Sequence, residues 1–170
     1  MDPKHASLIS GQFAQYAANL RYDDLPQDVR KLAHLVLLDT LGCAMAGAGT
    51  GEVAQIRRAM TQANGCNEGG GGDSSLWGTA EKAPLPLAAL ANGAAVHARE
   101  IDDFGGCAHS GSVVIPAALG IAARTGASGR ELLTAIVIGY DIARRAMDGG
   151  GGYQAFRWPR AHRTRADCAG

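Results

Sequence analysis

The sequence lacks an excess of charge of either sign: 16 Lys and Arg balance 16 Asp and Glu. Without a basic surplus there is no electrostatic footprint for nucleic acid or for an anionic membrane surface, and neither is expected as a partner. Long apolar runs are also missing. Gly, Pro or His interrupts each one well short of the roughly 20 residues that span a bilayer. The first residues, Met1-Asp2-Pro3-Lys4-His5, lack the basic-then-apolar layout of a secretion signal. The four cysteines (Cys43, Cys66, Cys107 and Cys168) form no C-x-x-C pair. A disulfide framework is therefore not expected, and a reducing cytoplasm is the expected compartment. Aromatics are scarce, at 5%. A core poor in large rings but rich in Ala and Gly implies helices packed at short range.

What is present is helical periodicity. Leu8, Ile9, Phe13, Tyr16, Ala17 and Leu20 repeat at about 3.6 residues and predict a helix over residues 6–20. A second helix is expected to open after Leu25-Pro26 and to run to about Met45. Its later half is apolar nearly all round, which predicts deep burial. Gly47 to Gly51 stops it, and a third helix follows from Glu52 to about Asn64, with Arg57 and Arg58 outward. Residues 65–73 hold five glycines and predict a loop. Ser75-Leu76-Trp77-Gly78 suits a short extended piece. Pro84 and Pro86 open a helix through Ala95, and Val113 to Arg124 predicts another. Ser128 and Glu131 have capping-box spacing ahead of a last helix, Leu132 to Met147. The fold class is all-α and bundle-like.

Residues 148–170 contain no Leu, Ile, Val or Met. Such a segment buries too little apolar surface to offset its ordering entropy, so a poorly ordered tail is expected there, with the helical domain confined to residues 6–147.

Chemistry concentrates between two apolar helices. His97, Glu100, Asp102, Asp103, Cys107 and His109 fall within thirteen positions, among glycines that permit tight turns. Three carboxylates in four positions repel one another, which favours protonation of one and makes a general base available. The plain alternative is a solvated acidic cap at a helix end. His97 precedes Glu100 by three residues, so on a helix the two share a face. Asp103, Cys107 and His109 are acceptable metal ligands by type, but their spacing matches no standard zinc signature.

The run Leu38-Asp39-Thr40-Leu41-Gly42-Cys43-Ala44-Met45-Ala46-Gly47 resembles the amino-terminal signature of the MmgE/PrpD superfamily. So do Leu76-Trp77-Gly78, the run Ala88 to Ala98, Ile101-Asp102-Asp103, His109-Ser110, Val113 to Ala118, Gly129 to Ile136, and Gly139-Tyr140-Asp141. That superfamily includes 2-methylcitrate dehydratases, cis-aconitate decarboxylases and iminodisuccinate epimerases. The resemblance implies a homodimeric lyase without metal or organic cofactor, acting on a small di- or tricarboxylic acid by proton abstraction beside a carboxylate. By position it implies Glu100 (or its neighbours Asp102 and Asp103) and His109 as the acid/base groups. Ser110 stands where many members have Pro, and Glu100 where Asp is common. A further family histidine, in a Trp-His-x-Thr motif, corresponds to His162 in Ala161-His162-Arg163-Thr164. The arginine-rich flanks of His162 and the lack of the family's later lysines point to a truncated or frame-shifted product with impaired activity. A non-catalytic helical fragment that dimerises or joins a full-length relative is the competing expectation.

Overall fold

The structure, a computed structural model, describes residues 8–63, 72–104 and 109–149. Six α-helices occupy most of these residues. Helix α1 covers Ile9–Asn19, and a 3-10 turn at Tyr22–Asp24 leads through Leu25-Pro26 into α2, Gln27–Gly47. Helix α3 is Gly51–Ala63. A hairpin of two-residue strands follows, β1 (Ser74–Ser75) antiparallel to β2 (Lys82–Ala83), with Ser74 opposite Ala83. Helices α4 (Leu85–His97), α5 (Ser110–Thr125) and α6 (Gly129–Gly149) complete the chain. The all-α expectation holds; the hairpin is the only sheet among the described residues.

Helix ends follow local chemistry. Pro84 caps α4 and Pro86 sits in its first turn, where the missing N–H has no intrahelical partner to lose. Gly126, at φ 67°, ends α5. The predicted capping box opens α6: Glu131 Oε2 accepts from the Ser128 N–H at 2.7 Å, and the Glu131 N–H donates to Ser128 Oγ at 3.3 Å. Helix α5 begins at Ser110, three residues earlier than its apolar run suggests, because Asp103 supplies an external cap at Gly111.

Helix α4 is the centre, packed between α2 and α5, with α6 against α5. Ala88, Ala91, Ala95 and Val96 are buried along it. At Gly93 a Cβ would collide with the Ser112 carbonyl of α5, so the absence of a side chain sets the closeness of that pair. Asn92, 3% exposed, staples the hairpin to α4: its Oδ1 accepts from the Trp77 N–H at 2.9 Å, and its Nδ2 donates to the Ser75 carbonyl at 3.0 Å. Cys43 packs as a small hydrophobe against Ala44 and Val96. Burial pushes its thiol pKa up, and the charge on Asp39 adds to the effect.

Two expectations need correction. Arg57 does not point simply outward: its guanidinium donates to the Ala48 carbonyl at 3.2 Å and the Trp77 carbonyl at 2.8 Å, tying α3 to the hairpin loop. The later half of α2 is not buried all round. Its inner face, with Thr40, Cys43, Ala44 and Gly47, is buried, but Leu35 and Leu38 are 52% and 69% exposed and Met45 is 53% exposed. Apolar periodicity marks a face that avoids water without specifying what covers it. No single helix among the described residues is long and apolar enough to cross a membrane; α2 and α3 meet that test only jointly, across a 90° bend.

Candidate functional site

The site forms where α4 stops and α5 starts. Helix α4 ends at His97, and the Glu100 N–H closes a turn onto the His97 carbonyl at 2.9 Å. Glu100 then takes φ 51°, in the left-handed region that non-glycine residues seldom occupy. This reverses the chain and carries Asp102 beneath the helix end, with its carboxylate fully shielded from solvent. The expected helical pairing of His97 with Glu100 is replaced by His97 with Asp102, because the helix stops before Glu100.

Asp102 bridges two imidazoles. Its Oδ1 lies 3.1 Å from His97 Nδ1, and its Oδ2 lies 3.2 Å from His109 Nδ1. The first contact has hydrogen-bond geometry; the second is close but poorly aligned, leaving His109 Nδ1 buried without a well-formed partner. The two rings meet edge-on at 62°, with centroids 4.3 Å apart. The His97 and His109 side chains are 45% and 30% exposed, so both imidazoles reach solvent while the carboxylate between them does not. Phe104, largely exposed, has its ring centroid 5.2 Å from that of His109.

Asp103 is engaged by other partners than Asp102. Its Oδ1 accepts from the Gly111 N–H at 2.9 Å, capping α5 from outside. Thr40 of α2 and Tyr140 of α6 converge on the same point. A Cβ on Gly111 would strike Asp103 Oδ1 and approach Thr40 Oγ1 to 2.7 Å. Thr40 Oγ1 and the Tyr140 hydroxyl are buried without well-aligned hydrogen bonds. Burial chiefly, and then the Asp103 charge, push the Tyr140 phenol well above its ordinary range. The influence of Asp103 is thus one of close charge more than of a directed bond.

The structure therefore joins His97, Asp102 and His109, places Asp103 next to them as a cap, and leaves Glu100 exposed in the turn. Cys107 and His162 lie outside the described residues. Thr40 and Tyr140 were not singled out as site residues from the sequence. Besides their places in the family-like runs Leu38 to Gly47 and Gly139 to Asp141, their signal there is a polar group on an otherwise apolar helix face. A cavity of about 370 Å³ between the hairpin, α4 and α5 is lined by Asn92, Pro116 and Leu119 among others.

An all-helical domain with a buried acid between two partly exposed imidazoles defines a candidate acid/base site. The MmgE/PrpD N-terminal domain matches residues 11–160, and the chain belongs to the MmgE/PrpD family. Its relatives include the cis-aconitate decarboxylase of Aspergillus terreus, 29% identical over 154 residues, a match covering 85% of this chain and 30% of that protein. The cis-aconitate decarboxylase-like protein oryM of Aspergillus oryzae is 27% identical over 146 residues, covering 81% of this chain and 29% of that protein. The chain thus spans about 30% of the length of the curated relatives it matches. No solved structure matches it.

Proposed function

We propose that the chain supplies the acid/base part of a lyase site for a small di- or tricarboxylic acid, of the cis-aconitate decarboxylase or 2-methylcitrate dehydratase type. The observation that carries this reading is the buried Asp102 carboxylate held between His97 and His109. Asp102 beside it holds the imidazole in position, so His109 is placed to hand a proton to a carbon or a leaving hydroxyl. In dehydration, a base removes the proton beside a substrate carboxylate and the imidazolium protonates the departing hydroxyl. In decarboxylation, the C–C bond breaks to release carbon dioxide, and the imidazolium protonates the carbanion left behind. Asp102 acts through His109 as its positioning residue, Asp103 holds the loop, and exposed Glu100 is the second candidate base. His162 remains a candidate on the resemblance alone.

Residues 6–147 form the helical domain in this reading, with 148–170 a separate tail, in a cytoplasmic protein. A polyanion needs positive charge, and the sequence around the cluster offers Arg99 and the two imidazoles. Positioning of the substrate is therefore incomplete, and turnover by the 170-residue chain alone is expected to be low. The test is to add cis-aconitate, 2-methylcitrate and acetate separately, following both product formation and the histidine ring resonances. The polycarboxylates, but not acetate, are expected to perturb His109. A silent His109 would overturn the site, and rapid turnover would overturn the impairment.

A second reading rests on the exposed stripe of α2, where Leu32, Leu35, Leu38 and Met45 are each more than half exposed. Contiguous apolar surface of this kind marks an association face. We take it as the homodimer face, and a chain that only associates, without catalysis, is the alternative that the same turnover assay separates.

A further inference from the structure

The His97–Asp102–His109 cluster has the composition and dimensions of a cation site as well as of a proton-transfer site. One potential ligand atom from each residue lies within 4.8 Å of the others. A tetrahedral ion with bonds of about 2.0–2.1 Å holds neighbouring donors about 3.3 Å apart. With Asp102 Oδ2 as the common donor, two of the three edges already match, at 3.4 Å to His97 Nδ1 and 3.2 Å to His109 Nδ1. The remaining edge closes by rotation of the His97 ring, which is 45% exposed at a helix end. Asp102 is fixed in place and fully shielded, so its desolvation is already part of the folded state. His109 Nδ1, buried without a well-formed hydrogen bond, is a donor atom aimed into the cluster with its capacity unused.

We propose that His97, Asp102 and His109 bind one first-row transition-metal cation of the zinc class. Two imidazoles with one carboxylate suit Zn²⁺, Ni²⁺, Co²⁺ or Cu²⁺. Mg²⁺ and Ca²⁺ call for mainly oxygen donors and are disfavoured. Three protein ligands leave one position open toward solvent, reached past the exposed sides of the two rings. This set differs from the Asp103–Cys107–His109 combination that ligand types alone suggest, since Asp103 is engaged by Gly111 and the second imidazole comes from α4. An ion held there occupies His109 and neutralises Asp102, so metal binding and acid/base use of His109 exclude one another. The ion is thus expected as an inhibitor. The site stands whether or not the chain is a lyase.

The test is calorimetric titration of the metal-depleted 170-residue chain with ZnCl₂ alone, together with its melting temperature. The expected result is one ion per chain with micromolar affinity, and a melting temperature that rises with zinc concentration. His97→Asn, at a half-exposed position that leaves the fold intact by circular dichroism, is expected to weaken binding roughly ten- to a hundredfold, while Cys107→Ser leaves it unchanged. Absence of one-to-one binding below millimolar zinc would overturn the proposal. So would binding unaffected by His97→Asn, or a loss in Cys107→Ser as large as that in His97→Asn, which would assign the ion to a thiolate.

Discussion

Asp102 has no contact with water, and its two oxygens serve two imidazoles. Replacing it by Ala removes the well-formed hydrogen bond to His97 Nδ1 and the carboxylate close to the buried His109 Nδ1, at about 1–3 kcal/mol. Asp102→Ala is therefore expected to lower the unfolding free energy by roughly 1–3 kcal/mol in urea titrations, with Asp102→Asn costing less because an amide oxygen remains. Tyr140 offers a second test. Its phenol pKa is raised, by burial first and then by Asp103. A raised pKa means that the folded state favours the protonated phenol. That contribution is complete below the ordinary phenol range near pH ~10 and is lost as pH climbs through it. Ultraviolet titration should show one phenol that ionises only as the chain unfolds, absent from Tyr140→Phe. At this scale the sequence showed where chemistry gathers but not which carboxylate meets which imidazole. That pairing depends on the left-handed turn at Glu100, a conformation its residue type does not announce, and on Thr40 and Tyr140 arriving from helices far away in the chain.

Helix boundaries were legible because their causes are local. The prolines before α4, the glycine after α5 and the Ser128–Glu131 box lie within a few residues of what they control. The hairpin was visible only as one extended piece, since two-residue strands carry no alternation and are held mainly by Asn92 from α4. Asn92→Ala removes both of those buried hydrogen bonds and is expected to destabilise the chain by about 2–3 kcal/mol. Hydrogen exchange at the Trp77 amide should accelerate in step, an effect that a general loss of stability would not confine to that amide. The α6 cap gives a pH test. Bonds from Ser128 hold the Glu131 carboxyl below its ordinary range. Since the folded pKa is the lower one, the stabilisation is complete above the unfolded carboxylate range and lost as pH falls through the folded value. The stability difference between the native chain and Glu131→Ala should be level above the ordinary glutamate range and fall away as pH drops below it.

Seen whole, the molecule buries one face of α2 and exposes the other, an arrangement that periodicity alone reads as uniform burial. The exposed leucines follow the same helical spacing as core residues, and the sequence does not distinguish a face covered by its own chain from one covered by another. If α2 is the dimer face, sedimentation should give twice the 17.5 kDa chain mass, and Leu35→Glu with Leu38→Glu should shift it to monomer without loss of helicity. An unchanged sedimentation pattern would move the association face elsewhere. The proposed acid/base site lies at the α4–α5 junction, so its test can be read in the same chain whatever its oligomeric state.

The most direct measurement is the set of histidine side-chain resonances during titration with cis-aconitate. His34 is an internal control, exposed on α2 with its Nδ1 at 2.8 Å from the Arg30 carbonyl and no contact with the cluster. A polycarboxylate site at the buried Asp102 predicts saturable shifts of His97 and His109 with His34 unmoved. Shifts of equal size at all three, or none at His109, would contradict it.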